Sequence, residues 1–238
     1  MNEMTNTLNY YKEIEEYATR RGLNNVQLAQ PFVRRCAYVQ ADPAVGSAYF
    51  AHALAVAWML MDLKLPIEPA EEDVAMTAAL CHILPELLPD VDWVGELESA
   101  GISPEVMEIV DLITRTSKIG TNDEEMTQFY DRIKTNRLAY MVRLVDRGNL
   151  MEQVYTTSSL ETMAYLQETK QYFLPLCIWG KENFPELTAP ISIMMEKMRT
   201  LLTVVEILYS KYEQEELSLQ DEILMLTEDN SRLRLSLR

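Results

Sequence analysis

The sequence has little of what makes turns, linkers and strands. Its 238 residues include only 7 glycines and 10 prolines, too few for a low-complexity linker. No apolar/polar alternation is sustained and no Asn-Gly or Asp-Gly pair occurs, so hairpin signals are missing. Positive charge is scarce: 21 Lys and Arg face 37 Asp and Glu, for a net charge of −16. That balance argues against nucleic acid or an anionic membrane surface as a partner. A phosphate-bearing ligand would need a metal or a local basic pocket. The three cysteines, Cys36, Cys81 and Cys177, are far apart and form no CxxC, as expected of reduced, buried thiols in the cytosol. The N-terminus is polar, and apolar runs such as "ALAVAWMLM" fall short of a span of roughly 20 residues. Both features point to the cytoplasm, with no membrane partner. Phosphate-loop and dinucleotide motifs are absent, as is the GxSxG of serine hydrolases. Cys81 and His82 are adjacent in sequence, which does not set their side chains face to face.

What the chain does have is helical periodicity. "NTLNYYKEIEEYATRRG" ends on a glycine with arginines in its last turn, a C-terminal signal. "NNVQLAQPFVRRCAYVQ" comes next, with an internal proline, and "GSAYFAHALAVAWMLMDLKLP" ends before Pro66. "EPAEEDVAMTAALCHILPELLP" opens with acids that suit the helix dipole. In "SPEVMEIVDLITRTSK" Ser103 reads as N-cap and Pro104 as first helical residue. Further helices are expected over 123–133, 135–153, 158–172 and 174–182. The fold class is therefore all-α. From Met195 a heptad runs to Leu237, with Leu219, Ile223, Leu226 and Leu233 among its a and d positions and Asn230 at an a position. Such a seam suits a homodimer, with Asp229 and Arg234 pairing across it, or a helix packed on its own domain. The expected domains are a helical bundle over 1–190 and a C-terminal helix over 191–238.

Only two histidines occur, His52 and His82. Each lies beside small apolar helix faces, where a charged imidazolium would be costly. Taken singly, each reads as a hydrogen-bonded core residue. Asp146, directly after the apolar "MVRLV", calls for an arginine partner (Arg143 or Arg147) or a cation. Two imidazoles and a carboxylate make a workable divalent-metal set. Glu86, one turn beyond His82, is placed to take a proton from water.

The order of motifs resembles the HD-domain phosphohydrolases, closest to the RelA/SpoT-type alarmone hydrolases and their small bacterial relatives. "GSAYFAHALAVAWMLMDL" resembles that family's G-x-P-Y-I-x-H-P-L-x-V-A helix, and "VAMTAALCHILPELL" its L-x-A-A-L-L-H-D-x-x-E-D helix. "SPEVMEIVDLITRTSK", "NRLAYMVRLVDRGNLM" and "LQETKQYFLPL" are similar to the later segments, in the family's order, over roughly residues 25–185. The resemblance implies a helical HD-type bundle around a divalent metal, commonly manganese. It carries His52, His82 and Asp146 over as metal ligands and Glu86 as the acid that handles the attacking water. Asn149 and Arg143 are the candidate substrate contacts, for a nucleotide or other phosphate ester.

Departures from the family pattern fall within the site. Ile83 stands where the family has the aspartate of its His-Asp pair, and Leu87 where it has the second acid. Leu150 replaces a substrate-binding asparagine, with Asn149 beside it. Pro43 and Ala44 occupy the place of a basic pair, and Pro85 lies in the metal-facing turn. Losing an anionic ligand weakens manganese, while two histidines and one aspartate still suit zinc or iron. The expected function is a phosphohydrolase-like protein that no longer turns over and serves a regulatory or interaction role. The alternative is an active metal-dependent phosphohydrolase.

Overall fold

The computed structural model describes residues 3–115, 123–153 and 159–236. Every regular element among the described residues is helical, as the missing hairpin signals require. Two units divide the chain, Met1–Lys197 and Met198–Arg238. In the first, α1 (Glu3–Arg21) and α2 (Asn24–Arg35) precede a π-helical turn at Cys36–Gln40. The hydrophobic centre comes next, as α3 (Pro43–Leu63) and α4 (Pro69–Cys81). A short α5 (Leu84–Leu87) and α6 (Trp93–Ser99) lead to α7 (Pro104–Ile113), α8 (Asp123–Ile133) and α9 (Arg137–Gln153). α10 (Ser159–Glu168) passes through a second π-helical turn, Thr169–Phe173, into α11 (Leu174–Asn183). The last helix, α12 (Thr188–Ser236), crosses from the first unit into the second.

Helix α4 lies at the centre, against α2, α3, α7 and α9. Every residue from Glu72 to Cys81 is buried, so the helix has no solvent stripe, as befits one surrounded by others. Its alanines at 75, 78 and 79 are 0–1% exposed and let the neighbouring helices come close. The N-terminal end of α4 is tied to the first two helices. Asp73 accepts from the backbone N–H of Asn25 and of Val26, both at 3.0 Å, and so caps the start of α2. Glu72 receives Arg21 at 2.7 Å. Gly22, at φ +69°, ends α1 in the left-handed conformation that the glycine signal implied.

Several boundaries differ from the sequence expectation, each for a local reason. The single helix expected through "ALCHILPELLP" breaks after Cys81, because Pro85 has no N–H for the carbonyl of Cys81 and its ring would collide with it. α9 starts at Arg137 rather than 135, because the Asn136 side chain accepts from Leu138 and Ala139 N–H at 2.9 and 3.1 Å and caps it. The stretch 159–182 is not two helices parted at 173; residue 158, where the first was expected to begin, lies outside the described residues. A widened π turn before Pro175 carries one into the next, relieving the lost hydrogen bond of that proline. α6 was not expected; its signal is Asp92, which caps Gly95 N–H at 3.0 Å. Ser103 caps α7 as expected.

Pro43–Leu63 is long and apolar enough by composition to cross a membrane, unlike its expected reading, and 50% of its apolar window is buried inside the fold. On α12, Ile207, Tyr212, Leu219, Ile223 and Leu226 are each 58–68% exposed. The side chains of Asp229, Asn230, Leu233 and Arg234, expected to set a paired register, lie outside those described. So do residues 116–118, the end of the helix expected from Ser103 onward.

Candidate metal centre

Three helices, two consecutive and one distant in sequence, bring the centre together. α3 supplies His52 from its middle, α4 supplies His82 as its C-cap, and α9 supplies Asp146, Arg143 and Asn149. All three helices contact one another. The His52, His82 and Asp146 ligand atoms lie within 4.8 Å of one another, so the triad expected from sequence is assembled. Asp146 is 3% exposed, His82 11% and His52 14%.

The hydrogen bonds decide what these atoms present. His82 Nδ1 lies 2.6 Å from the carbonyl of Ala79. A carbonyl only accepts, so Nδ1 carries the hydrogen and Nε2 holds a lone pair. His52 Nδ1 lies 2.7 Å from Asn149 Oδ1, another acceptor, so the same tautomer results. Asn149 Nδ2 faces the sulfur of Met59 at 3.8 Å, consistent with that amide orientation. The two Nε2 atoms then meet at 3.1 Å, and Asp146 Oδ1 lies 3.0 Å from one and 3.7 Å from the other. Three lone-pair atoms converge with no hydrogen of their own between neutral rings. Such a cluster repels itself unless a cation sits in it, either a proton on one imidazole or a metal ion. Tetrahedral ligands at 2.0–2.1 Å from zinc stand roughly 3.3 Å apart, which the three separations bracket. The donor set fits a divalent ion.

Without a metal, the proton belongs to His52. Burial works against charge there, but the hydrogen bond and charge of Asp146 outweigh it and raise its pKa. Burial pushes His82 down to about 4, with His52 adding to the shift and Asp146 opposing it. Asp146 resists its own burial because Arg143 and then the histidines hold it well below the usual carboxylate range. Arg143 Nη1 pairs with Asp146 Oδ2, leaving Oδ1 for the histidines.

The other residues expected at the site differ in what they touch. Asn149 orients His52 from behind. Holding the far nitrogen of a ligand in this way fixes its tautomer and direction. Arg143 sits on Asp146 as well as near the site. Glu86 is exposed on α5, with Tyr49 Oη 3.5 Å from its Oε2, and its charge reaches both His52 and Arg143. Ile83 is 2% exposed and brings no ligand atom. At the start of α3, Pro43 and Ala44 form an ordinary helix entry capped by Asp42 at 2.9 Å from Ala44 N–H.

One part of the surroundings was not expected from the sequence. Arg147, weighed as a partner of Asp146, turns to Glu168 at 2.6 Å instead. Arg115 and Tyr130 also reach Glu168. The signal was available as Arg143 and Arg147 at i and i+4, which share a helix face, and as the lone acid of "QETK". The chain matches no protein-family model, and no curated protein matches it.

Proposed function

We propose that this chain is an HD-type phosphohydrolase-like protein whose centre holds a divalent ion through His52, His82 and Asp146 but no longer turns over phosphate esters. The observation that carries this reading is the convergence of three acceptor atoms beside a buried Ile83. A bound divalent ion would supply Lewis acidity there. The chain's own groups restrict the chemistry around it. One carboxylate oxygen and two imidazoles suit zinc or iron more than manganese. Arg143 already draws charge from Asp146. Glu86, whose charge reaches His52, is an acid that could accept a proton from water, and Leu87 beside it cannot share the task. The resemblance to alarmone hydrolases supports the phosphate-ester class, with the protein acting in the cytoplasm through regulation or interaction. The partner surface would be α12, where Leu219, Ile223 and Leu226 expose an apolar heptad seam suited to a second copy.

The test measures metal content of the purified protein, then phosphate release from guanosine tetraphosphate and simple phosphoesters with added manganese, zinc or iron(II). Bound metal without release supports the reading. Metal-dependent release lost in His82→Ala would establish the active enzyme instead. Neither metal binding nor release would leave the triad a core feature and sink both. Ile83→Asp should tighten manganese binding by restoring an anionic ligand. Deleting residues 213–238 should lower the mass by light scattering if the seam pairs two copies.

A further inference from the structure

Four arginines crowd two phenylalanine rings next to the triad. The guanidinium carbons of Arg115, Arg132 and Arg143 stand 5.4, 5.8 and 5.4 Å from the centre of Phe129. Those of Arg143 and Arg147 stand 5.8 and 4.5 Å from Phe173. Arg132 gives Nη2 to the Thr114 carbonyl at 2.9 Å. The other three share two buried carboxylates: Glu168 takes Arg115 and Arg147, and Asp146 takes Arg143. Asp146 must also serve the histidines. Ring faces offset some of the surplus positive charge, and none of the missing hydrogen bonds. Nε of Arg115, Arg132, Arg143 and Arg147, and Nη1 of Arg147, are buried without a hydrogen-bond partner among the described residues; Arg132 alone of the four has no carboxylate there and is held by a backbone carbonyl. Arg147 is 1% exposed. Burial, with Arg143 and then Arg147 contributing, pushes Arg115 down to about 10, so these cations disfavour one another's charge.

Buried N–H groups normally find partners, and leaving them unmade is costly. Rigid guanidinium forks match the oxygens of a tetrahedral oxyanion, which can take several such bonds at once. We propose that Arg115, Arg143 and Arg147 form a receptor for a phosphoryl-type oxyanion, a second binding site beside the metal triad that works without metal. The anion's chemical class rests on the phosphate-ester function proposed for the triad, whereas the existence of the site rests on the unpaired donors alone. Arg143 joins the two sites, because the same guanidinium holds Asp146 and lines the receptor.

Inorganic pyrophosphate tests this by calorimetry and thermal shift on the full chain in chelator-treated buffer, against potassium chloride of matched ionic strength. Saturable binding and a thermal shift beyond the chloride control are expected. Arg115→Gln should weaken binding about tenfold or more, roughly the worth of one charged hydrogen bond. Arg115→Lys keeps the charge without the fork and should lie between. His52→Ala with His82→Ala should bind pyrophosphate as the unaltered protein does, while losing metal. That arm separates the two proposals, since the receptor can stand where the metal centre fails, and the reverse. No pyrophosphate effect beyond chloride at millimolar concentration would overturn the receptor. So would equal binding by the unaltered protein and a folded Arg115→Gln, with folding checked by circular dichroism.

Discussion

Asp146 and Arg147 are neighbours in sequence and serve opposite kinds of site. Around Asp146 the shortage is of positive charge, with three acceptor atoms facing one another within 3.0–3.7 Å. Around Arg147 the surplus is positive, with three guanidiniums on two carboxylates. Both sites are buried, so neither imbalance can be settled by bulk water. Burial makes each imbalance costly, and the two proposals complete the clusters in opposite ways: a cation in one and an anion in the other. Arg143 touches both and partly balances each.

The largest effect is expected from removing Glu168, the anion that Arg115 and Arg147 share. Glu168→Ala leaves the guanidiniums of Arg115 and Arg147 without their carboxylate. Destroying one side of a buried ion pair typically costs about 3–5 kcal/mol, and a loss of that size is expected in urea unfolding. A loss under about 1 kcal/mol, the ordinary worth of a surface pair, would show that the arginines are already satisfied.

The triad's proton balance makes stability depend on pH. The metal-free folded protein keeps His82 neutral down to about 4, whereas the unfolded chain protonates it near 6.5. A folded pKa below the unfolded one contributes stability that is present above 6.5 and lost as pH falls towards 4. That amounts to at most about 3 kcal/mol. His52 carries the opposite sign: its raised pKa adds stability below 6.5 that fades as pH rises through the folded value. Denaturation midpoints of chelated protein between pH 4 and 7 should therefore fall steeply on the acid side. His82→Gln should flatten that slope.

For the metal itself, His82→Ala should lower zinc affinity by more than about 100-fold, since even groups behind a ligand are worth 10–100-fold. Asn149→Ala should cost about tenfold by freeing the His52 tautomer. Competition with a chromophoric chelator measures both. Equal losses for the two variants would mean that Asn149 is itself a ligand. The smallest expected effect is the proton count. Binding should release up to one proton from His52 below its raised pKa, seen as a dependence of calorimetric heat on buffer.

Much of the site could be read from residue types. His52, His82 and Asp146 were recognisable as a donor set, and the structure brings their ligand atoms together. Arg143 was named as a partner for Asp146 and is one. The Glu168 cluster was legible only in part: Arg143 and Arg147 share a helix face, but Arg115, Arg147 and Tyr130 come from separate segments, and no spacing in the chain links them to Glu168. The break after Cys81 was visible in Pro85, yet continuous apolar periodicity hid it.

What depends on neighbours along the chain was legible in the residues. Helical periodicity, caps at Ser103 and Gly22, and the absence of hairpin turns follow from local backbone preferences, so the all-α class was set there. How the charges are shared depends instead on packing between helices. The tautomers of His52 and His82 depend on the acceptors Asn149 and Ala79 that packing sets beside them. The choice of Asp146 for Arg143 and Glu168 for Arg147 depends on which helices flank α9. Long-range pairing is resolved by excluded water and close contact, and neither is written in the order of residues.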